Sequence, residues 1–232
     1  MKRTLIVLTV LFAITTFAFA AAKPKIVSFG RWMTVQWSAG EAEPAALVIK
    51  VRALMVNGDV REFTTGESHA VTDRVFVVQR AFRLNDSLPA DETPSWAWQP
   101  GGWLLEDRPS AHITKLTLPE YDPYYSRVSW YRDFAAYCGV SDTGDKLYAM
   151  VAQIGRRKPI LKKALGAAKN ASQPDSECTA PEWQKKPVRV SFAPIGADKV
   201  TFTSHGHTLE IAAETGETGG GVSSSEFLVS GF

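Results

Sequence analysis

Leu47-Val48-Ile49-Lys50-Val51-Arg52-Ala53-Leu54-Met55-Val56, then Asn57-Gly58, then Asp59-Val60-Arg61-Glu62-Phe63, is the stretch that decides the fold. Its apolar side chains recur every second residue, the period of a strand. Ile49, Val51, Ala53 and Met55 fall on one face, with Lys50 and Arg52 opposite. Asn-Gly accepts the positive φ of a type I′ turn, so the two runs are expected to fold back as a hairpin. Further out, Val75–Leu84, His112–Leu118, Lys146–Ile154 and Val188–Phe192 read as strands in the same way. Lys199–Ser204 and His207–Ile211 flank His205-Gly206 as a late hairpin. The one helix candidate is Leu161–Lys169, which is short and contains Gly166. The expected class is all-β.

The two ends read differently. Residues 1–20 begin with the basic Met1-Lys2-Arg3, continue through an apolar run from Leu5 to Phe19 and close on the small-x-small Ala18-Phe19-Ala20. That is the pattern of an export signal cleaved after Ala20. Residues 21–212 then form a single β-rich domain. Residues 213–232 are rich in Gly, Ser, Thr and Glu and read as a flexible tail, because they offer little apolar surface to offset their ordering entropy. The whole chain has 26 Lys plus Arg against 24 Asp plus Glu. Lys2 and Arg3 leave with the signal, so the mature protein is formally neutral. Nucleic-acid binding, which rests on neutralising phosphates, is therefore not expected. No other stretch is apolar enough for a stable membrane span after cleavage. The expected location is secreted or periplasmic, where Cys138 and Cys178 would pair as a disulfide. Closing a loop of about 40 residues stabilises by about 4 kcal/mol in the chain-entropy model, less any strain.

One part of the chain carries a longer pattern. Val128-Ser129-Trp130 leads to Ala135-Ala136-Tyr137, Ser141-Asp142-Thr143-Gly144, Leu147-Tyr148, Gly155 and Lys162-Lys163-Ala164-Leu165. This resembles one blade of the β-propellers found in Tol-type periplasmic proteins, best over residues 128–165. Val190-Ser191-Phe192-Ala193-Pro194 with Gly196, Phe202 and Leu209 resembles a shortened copy, and Trp96–Leu104 a fainter one. The resemblance implies propeller-like blades of antiparallel strands. A β-sandwich or barrel is the alternative, since the repeat spacing is uneven and Trp130 is followed by Tyr131-Arg132-Asp133-Phe134, without the Pro or turn Gly of the family. Either architecture hosts many functions, so activity must be read from sites.

The motifs of nucleophilic, phosphate-binding and zinc-protease chemistry are missing from the sequence. His205-Gly206-His207 is the one metal-like pair, and no third ligand lies near it in sequence, so no metal or cofactor is expected. The acidic pairs Glu106-Asp107, Glu120 with Asp122, and Asp142 with Asp145 stand in turn-like contexts. The densest feature is aromatic: Tyr121, Tyr124, Tyr125, Trp130, Tyr131, Phe134 and Tyr137. Tyr121, Tyr124 and Tyr125 lie on a loop flanked by Pro119 and Pro123 and are the candidate binding residues, with Trp130 and Tyr137 assigned to the core. Arg156, Arg157 and Lys158 open a basic strip that continues through Lys162, Lys163 and Lys169 and suits an anionic glycan, lipid headgroup or acidic partner. The expectation is an exported, non-catalytic binding or scaffold protein whose ligand is a protein or a glycan. The alternative is a carbohydrate-active enzyme using acids near the aromatic loop at 120–133.

Overall fold

The computed structural model describes residues 25–37, 47–85, 87, 96–168, 178–194, 198–205, 208–214 and 225–228. Among them there is no helix. The expected export signal lies outside the described residues, and so do 215–224 and 229–232 of the expected tail.

The first sheet contains β1 (Val27–Phe29), β2 (Met33–Trp37), β3 (Leu47–Val56), β4 (Asp59–Ala70), β5 (Val75–Asn85), β6 (Trp96–Asp107) and β7 (His112–Leu116). Strands β2 to β6 pair in sequence except between β2 and β6, which meet in parallel at Trp37 and Trp98. That bridge closes the pairings into a ring, so the sheet rolls towards a barrel. The β3–β4 hairpin forms as the sequence predicts, with Asn57 at φ 54° and Gly58 at φ 88°. Its faces differ from expectation. Leu54 and Val56 are buried as well as Val51, because the rolled sheet covers both sides of β3. Arg52 does not face water; its guanidinium lies 4.0 Å from the Phe29 ring and 4.2 Å from the Trp32 ring.

The second sheet is a four-stranded antiparallel meander of β8 (Ser129–Tyr131), β9 (Phe134–Val140), β10 (Lys146–Gln153) and β11 (Leu161–Ala167). The helix expected at Leu161–Lys169 is a correction: Leu161–Ala167 pairs with β10. Leu161, Lys163 and Leu165 are half-buried while Lys162 and Ala164 are exposed, so the period is two, and ladder pairing overrides the helix propensity of Lys, Ala and Leu. The third sheet is a meander of β12 (Glu182–Lys185), β13 (Val188–Phe192), β14 (Lys199–His205), β15 (Thr208–Glu214) and β16 (Ser225–Leu228). Of the segment expected to be a tail, residues 213–214 end β15 and 225–228 pair with it.

The second sheet lies between the other two, and its strand period shows why. Ala136, Cys138, Leu147, Ala149 and Val151 pack on one face with Val190, Phe192, Val200 and Phe202 of the third sheet. Ala135, Tyr137, Met150 and Ala152 pack on the other with Val77 and Trp103 of the first. A separate cluster of Leu54, Phe76, Val78 and Leu104 belongs to the first sheet alone.

Cys138 and Cys178 form a buried disulfide with Cα atoms 6.2 Å apart. It joins the middle sheet to the segment that enters the third, where Cys178 bridges Pro194. Replacing both cysteines by Ser is expected to lower the unfolding free energy by about 2 kcal/mol, the low end for a native disulfide because the surrounding core is large. Urea unfolding measures this. Alkylation of both thiols in the folded protein without reductant would refute the bond.

Candidate functional site

The loop from 117 to 128 is the structure around which the site is built. The three-residue β8 leaves part of the β9 edge open, and buried backbone groups there need partners. The loop supplies them: Val140 N–H donates to the Glu120 carbonyl (2.9 Å), and Ser126 Oγ donates to the Cys138 carbonyl (2.8 Å). The Tyr137 hydroxyl adds a third tie by donating to the Pro119 carbonyl (2.6 Å). This approach requires glycine at 139, where a Cβ would lie 2.8 Å from Met150 Cγ and 2.9 Å from the Glu120 carbonyl oxygen. Asp122 shapes the tip, its Oδ1 accepting from the N–H groups of Tyr124 (2.7 Å) and Tyr125 (3.2 Å).

Held in this way, the loop forms one wall of a cleft of about 410 Å³ whose other wall is the first sheet. Tyr124 stacks on Trp37 with ring centroids 5.9 Å apart and planes 15° apart, and its hydroxyl donates to Gln99 Oε1 (2.6 Å). Burial and the nearby Asp122 raise the Tyr124 pKa, so the hydroxyl stays protonated. Deeper in the cleft, Trp103 and Trp130 meet edge to face at 5.1 Å. His69 stacks behind Trp130 at 5.8 Å, and its Nε2–H donates to the Arg132 carbonyl (2.8 Å). Thr65, Glu67, Gln79 and Arg127 place hydrogen-bonding groups among these rings. The indole N–H groups of Trp37 and Trp130 are buried without an acceptor among the described residues.

The candidate residues separate by position. Tyr124 lines the cleft. Tyr121 is turned into the core, where it meets the Tyr137 ring at 5.8 Å, and its hydroxyl accepts a bond from Gln79 Nε2 (3.0 Å). Burial pushes its pKa up. Tyr125 is half-buried at the loop tip. Tyr137 is fully buried as expected, whereas Trp130 stands between the core and the cleft. Arg156, Arg157 and Lys158 are exposed on the turn between β10 and β11, away from the cleft lining. His207 lies outside the described residues and His205 is described in backbone only, so the pair is not placed. Among the described residues no three His, Cys, Asp or Glu side chains converge.

The acids near the loop have structural partners. Glu120 pairs with Lys162 Nζ at 2.6 Å, Asp122 holds the loop tip, and Asp133 Oδ2 accepts from Gln153 Nε2 (2.8 Å). Asp145 accepts from Ser141 and Thr143, which lowers its pKa. Sequence reasoning missed Trp37, Trp103 and Gln79, which come from strands far from the loop in the chain. The turn-like context expected for Glu106 is a correction: it lies within β6, fully buried, and neither carboxyl oxygen has a hydrogen-bond partner among the described residues.

No family model, curated protein or solved structure matches this chain. The cleft has the size of a small-ligand site, about 300–1,000 Å³ for such pockets, and pairs flat apolar surfaces with a few directional polar groups. That combination suits a ligand with apolar faces and hydroxyl edges.

Proposed function

We propose that the protein is an exported, non-catalytic binding protein whose cleft between the first sheet and the 117–128 loop receives one or two sugar rings of a glycan. The observation that carries this reading is the cleft wall of Trp37 stacked on Tyr124, facing Trp103 and Trp130, with Thr65, Gln79, Glu67 and Arg127 between them. Aromatic rings cover the C–H faces of a pyranose, and the polar groups meet its hydroxyls. Three bonds between loop and β9 hold one wall in place, which lowers the ordering cost of binding. Secretion or periplasmic location fits the buried disulfide, and the basic n-region and apolar run of residues 1–20 supply the route. The four-strand meander over 129–167 also has the strand order of a propeller blade, which supports that resemblance. The copy over Trp96–Leu104 departs from it, because those residues lie within the single strand β6.

A glycan array tests the reading. Retention of a glycan, with at least tenfold weaker binding by Tyr124→Ala and an unchanged circular dichroism spectrum, is the expected result. Tyr124→Phe keeps the stacked ring and loses only the bond to Gln99, so it should bind more tightly than the Ala variant. No retention on the array overturns the glycan assignment, and release of new reducing ends from a bound glycan overturns the non-catalytic one.

A further inference from the structure

A second cavity, of about 170 Å³, lies between the second and third sheets. The sheets are stapled at Cys138, and the cavity opens beside Phe134, four residues earlier on β9. Phe134, Val151, Leu161, Val190 and Phe202 line the gap with apolar surface. Trp183 closes one side, tilted against Tyr131 at 5.4 Å and donating its indole N–H to the Ser129 carbonyl (3.1 Å). The charges at this cavity have one sign. Arg132 and Arg189 line it, both are exposed, and neither forms an ion pair among the described residues. Among the described residues no carboxylate lines it. The nearest acid on the Arg132 turn, Asp133, accepts from Gln153. Arg156, Arg157 and Lys158 stand on the turn that leads into the lining residues Ile160 and Leu161.

We propose that this cavity binds the acyl chain of an anionic amphiphile, with the head group held at the rim by Arg132 and Arg189. An apolar cavity of about 150 Å³ accepts a benzene molecule, so this one has room for roughly six carbons of a chain. A cavity that admitted only neutral apolar matter would need no cations at its mouth. A cationic amphiphile would meet uncompensated repulsion from both guanidiniums. The chain therefore belongs to a carboxylate or a phosphate ester, and Arg suits either because its planar fork matches both oxyanions. This site is separate from the aromatic cleft and does not depend on the glycan reading.

Octanoate, octanol, octylamine and butyrate are titrated into the full mature chain by calorimetry. Octanoate is expected to bind, octanol about tenfold more weakly, and octylamine more weakly still. Each methylene withdrawn from the cavity should weaken binding about fourfold; with room for roughly six carbons, butyrate fills about three fewer than octanoate and should bind about sixtyfold more weakly. The double variant Arg132→Gln with Arg189→Gln should bind octanoate and octanol alike without a shift in Tm, since both side chains are exposed. Tyr124→Ala should leave octanoate binding unchanged. Equal binding of octanoate and octylamine overturns the proposal, and so does the absence of any octanoate heat at millimolar concentration. Cosedimentation with phosphatidylglycerol vesicles but not phosphatidylcholine vesicles, reversed by octanoate, assigns the chain to a membrane lipid. Octanoate binding without cosedimentation assigns it to a free fatty acid.

Discussion

Tyr137→Ala lowers the unfolding free energy by about 3–5 kcal/mol, the cost of removing a large ring from a packed interior. Tyr137 is fully buried among Val77, Trp103, Leu118 and Met150, so no solvent relaxes into the space it leaves. The loss has a second part. Its hydroxyl is the donor to the Pro119 carbonyl, and its ring supports Tyr121, so truncation frees the start of the loop that walls the cleft. Tyr137→Phe separates the two effects. It keeps the ring and leaves the carbonyl without its donor, which costs about 1–3 kcal/mol. The Phe variant should remain folded at room temperature while its glycan affinity falls through a looser wall. Urea unfolding gives the first quantity and array binding the second. A Tyr137→Ala protein as stable as the wild type would mean that the middle sheet is not packed against the first.

The parts of the fold that were legible are the strands covered on one side or ended by strong turns. The Asn57-Gly58 hairpin was legible from its turn chemistry, though not in the faces of β3, and β13 from its alternation. In the middle sheet β10 was legible within Lys146–Ile154, while β9 was harder for a physical reason. All of Ala135–Gly139 is buried, because both faces of β9 are covered. Strands covered on both faces lose the alternation by which strands are read. The aromatic loop was recognisable from its prolines and tyrosines, and the inward turn of Tyr121 was not. Which ring of a cluster faces the core depends on bonds such as Gln79 to Tyr121, made across 42 positions of sequence. The opposing wall was illegible altogether. Trp37 reaches the cleft because β2 meets β6 in parallel at Trp98, a closure that no local pattern encodes. Glu106 did leave a signal. It stands two residues from Leu104, on the strand face that Leu104 buries, where an apolar residue was due.

Between pH 4.5 and pH 8 the protein is expected to lose about 3 kcal/mol of stability through Glu106 alone. Register fixes its surroundings: Glu106 lies between Phe76 on β5 and Ile113 on β7, on the face that carries Leu54, Val78 and Leu104. Burial, with the neighbouring Asp107 adding to it and Arg108 opposing it, pushes the Glu106 pKa up to about 7. The raised value means that the fold prefers the neutral acid. Well below pH 4.5 the folded and unfolded chains are both protonated at this site, and its contribution is complete. As pH rises towards 7 the unfolded chain has released the proton and the folded chain still holds it, so folding must retain a proton that solution would take, and stability falls. Above 7 the folded chain carries a charge in an apolar cluster and the loss levels off. Asp107 acts in the opposite sense but in another window. Its bonds from Arg74 and Ser110 lower its pKa, so its stabilisation is gained as pH rises through the ordinary Asp range and is complete before the Glu106 loss is far advanced. Glu106→Gln isolates the effect, because the amide matches the neutral acid in shape and does not titrate. Urea unfolding at pH 5 and pH 8 should show a falling midpoint with constant slope for the wild type and a much smaller change for Glu106→Gln. If the two proteins show the same pH dependence, the Glu106 carboxyl reaches water, and the cluster of Leu54, Phe76, Val78 and Leu104 is not closed around it.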